Sequence, residues 1–317
     1  MKTDRTILLI TAPRVSDDHV RATCAAMEPQ GLTLAKISSL ALTPAQRAGR
    51  EPRDCAVLAF DGAPTEPEAM NPALIELSAN MQADLNWFTA EDFLREPKIA
   101  CFDMDSTLIP HECIDELAGE AGPEVREKVA QITEHAMQGN MDFATSLRYR
   151  VKTLEGLPDS IFAKINAQIR LMEGAPTLIA TLKARGVYTV LVSGGFDVFA
   201  AQVAARLGVD EFHSNTLEVK NGLLTGALVG RIVDADFKKN KLEEVANRLK
   251  VPLAQTLAVG DGANDLPMLG AAGLGVAYHA KPKVKAAAKC RIDCLPLDAI
   301  LFLLGVHESH WVHPSDV

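Results

Sequence analysis

The sequence predicts an α/β protein with two parts: a Rossmann-like parallel sheet that carries an inserted helical cap, and a smaller N-terminal α+β domain. The chain has 317 residues, enough for about two domains, and its 48% of hydrophobic residues can fill packed cores. After residue 97, short apolar runs alternate with helical patterns, as in parallel sheets covered by helices. Before residue 90, the predicted order is β-α-β-β-α-β, the plan of a ferredoxin-like domain.

The N-terminal domain, residues 1–90, is predicted element by element. Ser16 is suited to cap a helix whose apolar positions recur with helical spacing. The polar stretch 41–53 contains two prolines and a glycine, so we expect a loop there. Because this domain has no group of reactive side chains, we expect a regulatory or dimerisation role. Its strands are predicted over 6–11, 32–40, 55–60 and 84–88, and its second helix over 70–81.

The second domain, residues 91–306, is predicted from buried strands and the helices between them. Residues 113–172 contain no convincing strand and are broken by glycine and proline, so we expect an inserted helical cap. Asn221 and Gly222 separate two β-like runs, a pattern typical of a hairpin turn. The polar end, residues 307–317, is predicted to be a loosely held tail. The strands are expected over 98–102, 187–192, 256–259 and 274–277.

Charge and composition exclude several functions. The 32 Lys and Arg residues against 41 Asp and Glu give a net charge of −9 with no long basic block, so we expect no nucleic-acid partner. No apolar run reaches the roughly 20 residues of a membrane span and no signal-peptide pattern occurs, so we expect a cytoplasmic protein without a membrane partner. The six cysteines are thinly spread, and Cys290 and Cys294 lack further metal ligands; we expect no disulfides.

Two aspartates follow the first strand of the second domain. Asp103 and Asp105 lie one residue apart at the predicted carboxyl end of strand 98–102. In α/β sheets, the carboxyl ends of parallel strands line the crevice that binds ligands. Two carboxylates in one crevice repel each other unless a cation compensates, and Mg²⁺ prefers oxygen ligands. The pair therefore indicates a Mg²⁺ site; a solvated turn in which Asp and Ser cap the next helix is the alternative.

A second acidic segment, GDGAND at residues 260–265, follows another predicted strand. Its glycines permit a tight turn and the close approach of a ligand. Alone, the segment is compatible with a simple Gly-Asp turn. Together with the first pair, it places Asp261 and Asp265 at the same edge of one sheet. We therefore expect both acidic segments to converge on one metal site.

Two further features are suited to hold a phosphate group. Strand 187–192 ends in Ser193, Gly194 and Gly195, where a hydroxyl and backbone N–H groups can form a cradle for oxyanions. Lys238 opens the helix before the next strand, where a cation can neutralise a phosphate oxygen and a nucleophile. A solvated helix face is the alternative for this lysine-rich run, and we expect it to describe the neighbouring lysines.

In this order, these segments resemble the four motifs of the haloacid dehalogenase superfamily of phosphatases. The resemblance covers about residues 98–304. Within that superfamily, Glu112 and the cap residues 137–151 resemble those of phosphoserine phosphatases, and the N-terminal domain is similar to ACT-type modules. The matching segments are DMDST at 103–107, SG at 193–194, Lys238 and GDGAND at 260–265.

The resemblance implies a chemical role for each motif. Asp103 would attack phosphorus and form an aspartyl-phosphate, and Asp105 would protonate the departing seryl oxygen and later deprotonate the attacking water. Mg²⁺ would be held by the carboxylates of Asp103 and Asp261 and by the backbone carbonyl of Asp105. The remaining residues would hold the phosphoryl group or order the site around it: Ser193, Gly194, Lys238, Asn264 and Asp265.

The resemblance also implies that the cap selects O-phospho-L-serine, the substrate of the last step of serine biosynthesis. Glu112 would pair with the α-ammonium group, and Arg150 would hold the α-carboxylate with two hydrogen bonds. Met137 and Phe143 would close the pocket and exclude water. Arg148 is the alternative to Arg150, and a helix-start acid is the alternative role for Glu112.

Two other functions stay open from the sequence. The same chemistry could serve another small phosphomonoester, and a phospho-acceptor signalling domain also combines a strand-end aspartate, an acidic metal site and a lysine. Glu112 and Arg150 argue against signalling, because such a domain needs no amino-acid pocket. The first strand-to-helix loop of the ACT-like domain, residues 11–16, lacks the usual glycine. This departure argues against serine binding without deciding it, and we expect that domain to form a homodimer.

Overall fold

The computed structural model describes residues 5–47, 52–137 and 141–314. Its N-terminal part contains β1 (Arg5–Ala12), α1 (Asp17–Met27), β2 (Thr33–Ser39), α2 (Pro44–Arg47), β3 (Asp54–Asp61), α3 (Pro67–Met81), β4 (Asp84–Thr89) and α4 (Ala90–Phe93). The four strands form an antiparallel sheet in the order β2-β3-β1-β4. This order confirms the ferredoxin-like plan. The stretch predicted as a loop contains the one-turn helix α2.

The central strand β1 is apolar on both faces because both faces are covered. Leu8 and Ile10 belong to the same buried cluster as Met27 of α1. Ile7 and Leu9, which alternate with them, belong to the main core of the second part. A strand that is buried on both sides reads as a continuous apolar run, as residues 7–10 do. The N-terminal sheet therefore lies between its own helices and the rest of the chain.

The second part has a seven-stranded sheet in the order β11-β10-β9-β5-β6-β7-β8. Its strands and helices are β5 (Ile99–Phe102), α5 (Cys113–Ala121), α6 (Pro123–Met137), α7 (Phe143–Lys152), α8 (Ile161–Gln168), α9 (Ala175–Ala184), β6 (Tyr188–Phe196), α10 (Asp197–Leu207), β7 (Glu211–Lys220), β8 (Leu223–Val229), α11 (Ala235–Leu249), β9 (Thr256–Gly260), α12 (Leu266–Ala271), β10 (Leu274–Tyr278), α13 (Pro282–Ala287), β11 (Cys290–Ile292) and α14 (Ile300–Leu303).

The parallel sheet predicted from the sequence is confirmed. Strand β5 lies at its centre and pairs in parallel with β6 on one side and β9 on the other. Strand β8 runs antiparallel to β7. They are joined by Asn221 and Gly222, whose φ angles of 54° and 76° are those of the predicted hairpin turn. The carboxyl ends of β5, β6 and β9 therefore meet at one edge.

Four helices, α5–α8, lie between β5 and α9 at the position where the sequence predicts a helical cap. Helix α7 begins after Asp142, whose carboxylate accepts a hydrogen bond of 2.8 Å from the Thr145 N–H. Its buried side includes Leu147 and Val151, four residues apart. These residues join the main core, so the cap packs on the sheet domain instead of standing apart from it.

The two parts of the chain share buried contacts. Asn86 of β4 donates a hydrogen bond of 2.9 Å to the backbone oxygen of Arg291 and accepts one of 2.9 Å from its N–H. Arg291 lies on β11, the edge strand of the large sheet. The Asn86 carboxamide thus replaces a strand neighbour for β11. In a second contact between the two parts, the Nε of Arg53 donates to Asp298 Oδ1 at 2.9 Å, and both side chains are almost fully buried.

We expect Arg53→Met to lower the free energy of unfolding by about 3–5 kcal/mol, because it leaves Asp298 as an uncompensated buried charge. Burial already raises the pKa of Asp298 to about 6, although Arg53 opposes this shift. The matched control is Arg5→Met. Arg5 pairs with Asp61 at 3.1 Å on the surface, so its loss is expected to cost less than about 1 kcal/mol. Urea unfolding of both variants measures the difference; equal losses would contradict the assignment.

The prediction of a loosely held tail over 307–317 is wrong for residues 307–314. Trp311 is buried and its ring lies 4.8 Å from that of Phe302. The Glu308 carboxylate accepts a hydrogen bond of 2.7 Å from the N–H of Leu42 in the N-terminal part. One large aromatic side chain in a polar stretch is enough to anchor it, because it buries so much apolar area. Residues 315–317 lie outside the described part.

Two expectations from composition can be compared with the structure. The six cysteines are all free thiols. Among the residues that the structure describes, no helix is both long enough and apolar enough to cross a membrane.

Candidate active site

The two acidic segments predicted from the sequence meet at the carboxyl edge of the parallel sheet. Asp103 follows β5, and its N–H donates to the Val259 oxygen of the neighbouring strand β9 at 3.0 Å. Asp261 follows β9. Because β5 and β9 are adjacent and parallel, their ends place these aspartates side by side.

Lys238 lies between two of the buried carboxylates. Its Nζ is 2.8 Å from Asp103 Oδ1 and 2.7 Å from Asp265 Oδ1, and its side chain is 0% exposed. It comes from the first turn of α11, which starts after the capping residue Asp234. Burial alone lowers the pKa of Lys238, but the attraction of Asp103 and Asp265 outweighs it and raises the pKa above the ordinary value. This lysine is therefore a fixed cation inside the site.

One buried cation does not balance the acidic groups. Burial raises the pKa of Asp103 well above its ordinary value, and Asp265 and Asp261 raise it further while Lys238 opposes them. Burial also raises the pKa of Asp261 to about 6, and Asp265 adds to that shift. The site therefore has more negative charge than Lys238 can neutralise.

The donor set fits a divalent metal ion. Single carboxylate oxygens of Asp103, Asp261 and Asp265 lie within 4.8 Å of one another. Asp265 is already engaged, because its Oδ1 accepts from Lys238 and its Oδ2 accepts from the Gly262 N–H at 3.0 Å. Asp103 and Asp261 are thus the carboxylates with oxygens to spare for a hard cation. The predicted ligand set, in which Asp265 is a supporting residue, stays a prediction.

Ser193, Gly194 and Gly195 form the irregular end of β6 at the same edge, named the Ser193 turn. The Ser193 hydroxyl is buried, and its Oγ accepts a hydrogen bond of 2.9 Å from the Gly195 N–H. A β-carbon at position 194 would lie 2.8 Å from Cζ of Phe143, and one at position 195 would lie 2.7 Å from Asp105 Oδ2. A side chain at either position would therefore have to displace one of these groups. The Ser193 turn brings the cap residue Phe143 and the Asp105 carboxyl against the oxyanion cradle predicted there.

Asp105 has the character of a proton carrier. Burial raises the pKa of its carboxyl to about 7, and nearby Glu112 adds to the shift. Its Oδ1 accepts a long hydrogen bond, 3.4 Å, from the Cys113 N–H. A carboxyl with a pKa close to neutrality can both give and take a proton at ordinary pH. Asp103 and Asp105 are therefore neighbours in sequence with different environments.

Glu112 and Arg150 lie on the cap side of the site. Ser106 has a left-handed φ of 56°, and its hydroxyl donates to Glu112 Oε1 at 2.8 Å. Glu112 is the residue before α5, and its side chain makes no capping hydrogen bond with that helix. The Nε of Arg150 is buried and has no hydrogen-bond partner among the described residues. Burial lowers the pKa of Arg150, while Asp115, Glu112 and Asp105 oppose the shift.

Three further residues were candidates for the site: Arg148, Asn264 and Met137. Arg148 is exposed, whereas Arg150 is only partly exposed. Asn264 is partly buried and packs close to Gly262 in the GDGAND turn. Met137 ends α6, but its side chain and residues 138–140 lie outside the described part.

The sequence analysis missed one polar residue at this edge. Asn215 of β7 is 2% exposed and its Nδ2 donates to the Gly194 oxygen at 2.8 Å. Asparagine is rare inside strands, so an Asn within the β-like run that starts at Glu211 was a usable signal.

Comparison with known proteins identifies the family of this chain. Residues 100–270 match the model of the haloacid dehalogenase-like hydrolases, which is more than half of the chain. The chain belongs to this family. The hydrolase is 43% identical over 260 residues to a phosphoserine phosphatase of Streptomyces coelicolor, covering 82% of this chain and 62% of that protein. It is 46% identical over 212 residues to a phosphoserine phosphatase of Vibrio cholerae, covering 67% of this chain and 64% of that protein.

A solved structure resembles nearly the whole hydrolase. A haloacid dehalogenase family hydrolase of Salmonella enterica serovar Typhi superposes with a TM-score of 0.80 at 30% identity, covering 94% of this chain and 98% of that chain. The likeness thus includes the N-terminal sheet as well as the parallel sheet. This hydrolase spans less than two thirds of the length of the two bacterial relatives.

Proposed function

We propose that this hydrolase is a Mg²⁺-dependent phosphoserine phosphatase, which converts O-phospho-L-serine to L-serine and phosphate in the last step of serine biosynthesis. The observation that carries the proposal is the pair of opposite charges, Glu112 and Arg150, beside Asp105 and the Ser193 turn. An acid and a guanidinium match the ammonium and carboxylate groups of an amino acid, and the turn matches its phosphate. The names of the two bacterial relatives support the same substrate.

In the first step, a carboxylate oxygen of Asp103 attacks phosphorus. The new O–P bond forms as the bond from phosphorus to the seryl oxygen breaks, and the electron pair of that bond goes to the seryl oxygen. Asp105 donates its proton to this oxygen, so serine leaves as the neutral alcohol. The raised pKa of Asp105, about 7, supports this role because the carboxyl still carries a proton near neutrality.

In the second step, a water molecule attacks the aspartyl-phosphate. Asp105, now ionised, accepts a proton from the water as its oxygen bonds to phosphorus. The bond between phosphorus and Asp103 breaks, and its electron pair returns to the carboxylate, so that Asp103 is regenerated and phosphate is released. Asp105 regains its proton and the cycle closes.

Throughout, the charge on the phosphoryl oxygens is balanced by donors that are already in place. The Ser193 hydroxyl, the Gly194 N–H and the Lys238 ammonium would bind these oxygens. Asp265 keeps Lys238 in position with its 2.7 Å contact. Asn264 would order the GDGAND turn in which Asp265 lies. Mg²⁺, held by the carboxylates of Asp103 and Asp261 and the backbone carbonyl of Asp105, would supply positive charge against phosphate.

Removal of divalent metal tests this part of the proposal. With EDTA in excess, we expect phosphate release to fall about a hundredfold or more, because several kcal/mol of charge stabilisation are lost. Addition of Mg²⁺ beyond the EDTA concentration is expected to restore it. The control is addition of the same ionic strength as NaCl, which should restore nothing. Turnover that persists in EDTA would contradict the metal assignment.

Recognition of the amino acid is assigned to the cap. Glu112, held by Ser106, would accept from the substrate ammonium group, and the free Nε edge of Arg150 would donate to the substrate carboxylate. Phe143, which contacts the Ser193 turn, would cover the phosphoryl group and exclude water. The side-chain role of Met137 in closing the pocket stays a prediction.

Arg150→Ala is expected to lower kcat/KM for O-phospho-L-serine about ten- to a hundredfold, the loss of a charge-assisted pair worth roughly 1.5–3 kcal/mol. Hydrolysis of p-nitrophenyl phosphate, which has no carboxylate, is expected to change little. Arg148→Ala is the matched control on the same helix and should resemble the wild type with both substrates. A loss confined to Arg148→Ala would reverse the choice of arginine, and no loss in either variant would contradict an amino-acid substrate.

A phosphate-release screen tests the proposed function itself. We expect O-phospho-L-serine to be the preferred substrate among phosphorylated amino acids and sugars. A preferred substrate without an amino-acid moiety would replace this proposal with another small phosphomonoester. A stable phosphoprotein without turnover would favour the signalling alternative.

The N-terminal domain, residues 1–90, is proposed to serve assembly and not catalysis. Each residue assigned above to the reaction comes after position 98. The N-terminal sheet instead presents an exposed edge strand, β2. Exposed strand edges are suited to pair with a second copy. We propose a homodimer formed through this domain, in the cytoplasm, with the catalytic domain at 91–306 and the cap at 113–172.

A further inference from the structure

Strand β6 leaves its regular pairing where the phosphate cradle forms. Val192 pairs with His213 of β7, and the next pair is Phe196 with Asn215. Between these two pairs the chain moves four positions along β6 but only two along β7. The residues between Val192 and Phe196 therefore form a bulge without partners in the ladder. The bulge releases the backbone of Ser193 and Gly194 from the ladder with β7, and it thereby deprives Gly194 of the backbone neighbour that a strand residue normally has.

The side chain of Asn215 supplies that missing neighbour. Its Nδ2 donates to the Gly194 oxygen at 2.8 Å, while its Oδ1 accepts from the Val233 N–H at 2.9 Å. Asn215 is 2% exposed, so water cannot replace either hydrogen bond in the native state. The carboxamide therefore binds two backbone segments at once.

The first of these hydrogen bonds sets the orientation of a peptide group in the cradle. The peptide unit between Gly194 and Gly195 is held at its oxygen by Asn215 and at its N–H by Ser193 Oγ. Because the Gly195 N–H occupies a lone pair of Ser193 Oγ, the hydroxyl proton stays available to a phosphoryl oxygen. Rotation of this peptide unit would turn the Ser193 donor away.

The second hydrogen bond extends to the segment that carries the buried cation. Val233 precedes Asp234, the capping residue of α11, whose Oδ1 accepts from the Phe237 N–H at 2.8 Å. The N–H of Lys238 in turn donates to the Asp234 oxygen at 3.0 Å. Asn215 is therefore the direct connection between the Ser193 turn and the start of the Lys238 helix.

We propose that Asn215 is a positioning residue for phosphoryl transfer: its carboxamide fixes the Ser193 turn and the Lys238 helix relative to each other, so that both face the same phosphoryl group. This inference rests on the proposed phosphatase function. Asn215 does not touch the substrate, and it acts by holding the groups that do.

The test is Asn215→Leu in the 317-residue chain with Mg²⁺ present. Leucine has nearly the same size but makes neither hydrogen bond and adds no charge. We expect kcat/KM to fall about ten- to a hundredfold for both O-phospho-L-serine and p-nitrophenyl phosphate, because the phosphate cradle is common to both. The inhibition constant of orthovanadate, which copies the five-coordinate geometry at phosphorus, should rise by a similar factor.

The matched control is Asn86→Leu. Asn86 makes the same pair of hydrogen bonds, 2.9 Å to a backbone oxygen and 2.9 Å from a backbone N–H, and is also 2% exposed, but it joins the two sheets. A role in stability alone predicts that both variants lower Tm and leave vanadate inhibition unchanged. We expect only Asn215→Leu to weaken inhibition. An unchanged vanadate constant in Asn215→Leu, or equal changes in the two variants, would overturn the proposal.

A smaller substitution tests the proposal in the case that Asn215→Leu does not fold. Asn215→Ala leaves room for water to bridge Gly194 and Val233, so we expect a smaller loss in the same direction. A wild-type vanadate constant in a folded Asn215→Ala would overturn the proposal.

The behaviour of the wild type separates this proposal from the proposed function. If the wild type hydrolyses p-nitrophenyl phosphate but not O-phospho-L-serine, the proposed substrate is wrong, and the comparison with p-nitrophenyl phosphate still decides the role of Asn215. A wild type that turns over neither compound and does not bind vanadate would overturn both.

Discussion

Asp103→Asn is expected to abolish turnover of O-phospho-L-serine. An amide oxygen is a poor nucleophile, and the substitution also removes one of the two carboxylates with an oxygen free for metal. The variant is expected to fold, because Asn fills the same space and Lys238 keeps its 2.7 Å contact with Asp265. The measurement is steady-state phosphate release in excess Mg²⁺, with a loss of about a thousandfold or more expected.

The control for this variant removes the same charge nearby. Asp236→Asn lies in the first turn of α11, where the side chain is exposed, and should keep activity close to the wild type. A second readout addresses the covalent step directly. With O-phospho-L-serine labelled on phosphorus, acid-quenched wild type is expected to retain label on the protein and Asp103→Asn is not. Residual turnover above a few per cent, or label on the variant, would remove Asp103 from the nucleophile role.

The acidic centre could be predicted from sequence because its geometry is local. Asp103 and Asp261 each directly follow an apolar strand, and parallel strands place their carboxyl ends at one edge whatever the loops do. The predicted sheet and the two acidic turns therefore agree with the structure. Predictions of this kind require the order of elements along the chain and no knowledge of distant contacts.

The choice between Arg148 and Arg150 could not be made from the apolar residues of the helix. Leu147 and Val151 mark the apolar side of α7, and each arginine lies about 80° from the midpoint of that side. In the structure Ser146 is buried as well, which turns the buried side of α7 towards Arg150, whereas Arg148 is exposed. A buried serine is not marked by an apolar pattern, so this difference becomes visible only in the fold.

Contacts between distant segments could not be predicted in this way. Arg53 meets Asp298 across 245 positions, and Asn86 meets Arg291 across 205. Such pairs depend on how the two sheets dock, which no local pattern encodes. The same limit explains the wrong prediction for the chain end, where Trp311 finds its pocket only in the assembled core.

Lys238→Met is expected to remove both activity and a large part of the stability. Without the ammonium group, Asp103 and Asp265 remain as buried acids with no cation in contact, and the loss of one partner from a buried ion pair costs about 3–5 kcal/mol. Phosphate release should fall about a thousandfold or more, because the phosphoryl oxygens lose a fixed positive charge. Urea unfolding in EDTA measures the first effect, and phosphate release in Mg²⁺ measures the second.

A double variant separates the two effects of Lys238. Adding Asp265→Asn to Lys238→Met removes one of the unpaired acids, so we expect much of the lost stability to return while activity stays absent. Lys239→Met is the matched control, because Lys239 pairs with Glu243 at 3.6 Å on the exposed side of the same helix and should contribute no more than about 0.5 kcal/mol. If Lys238→Met retained activity within tenfold of the wild type, or if the double variant recovered activity with stability, Lys238 would be a structural cation and the phosphoryl group would need another donor.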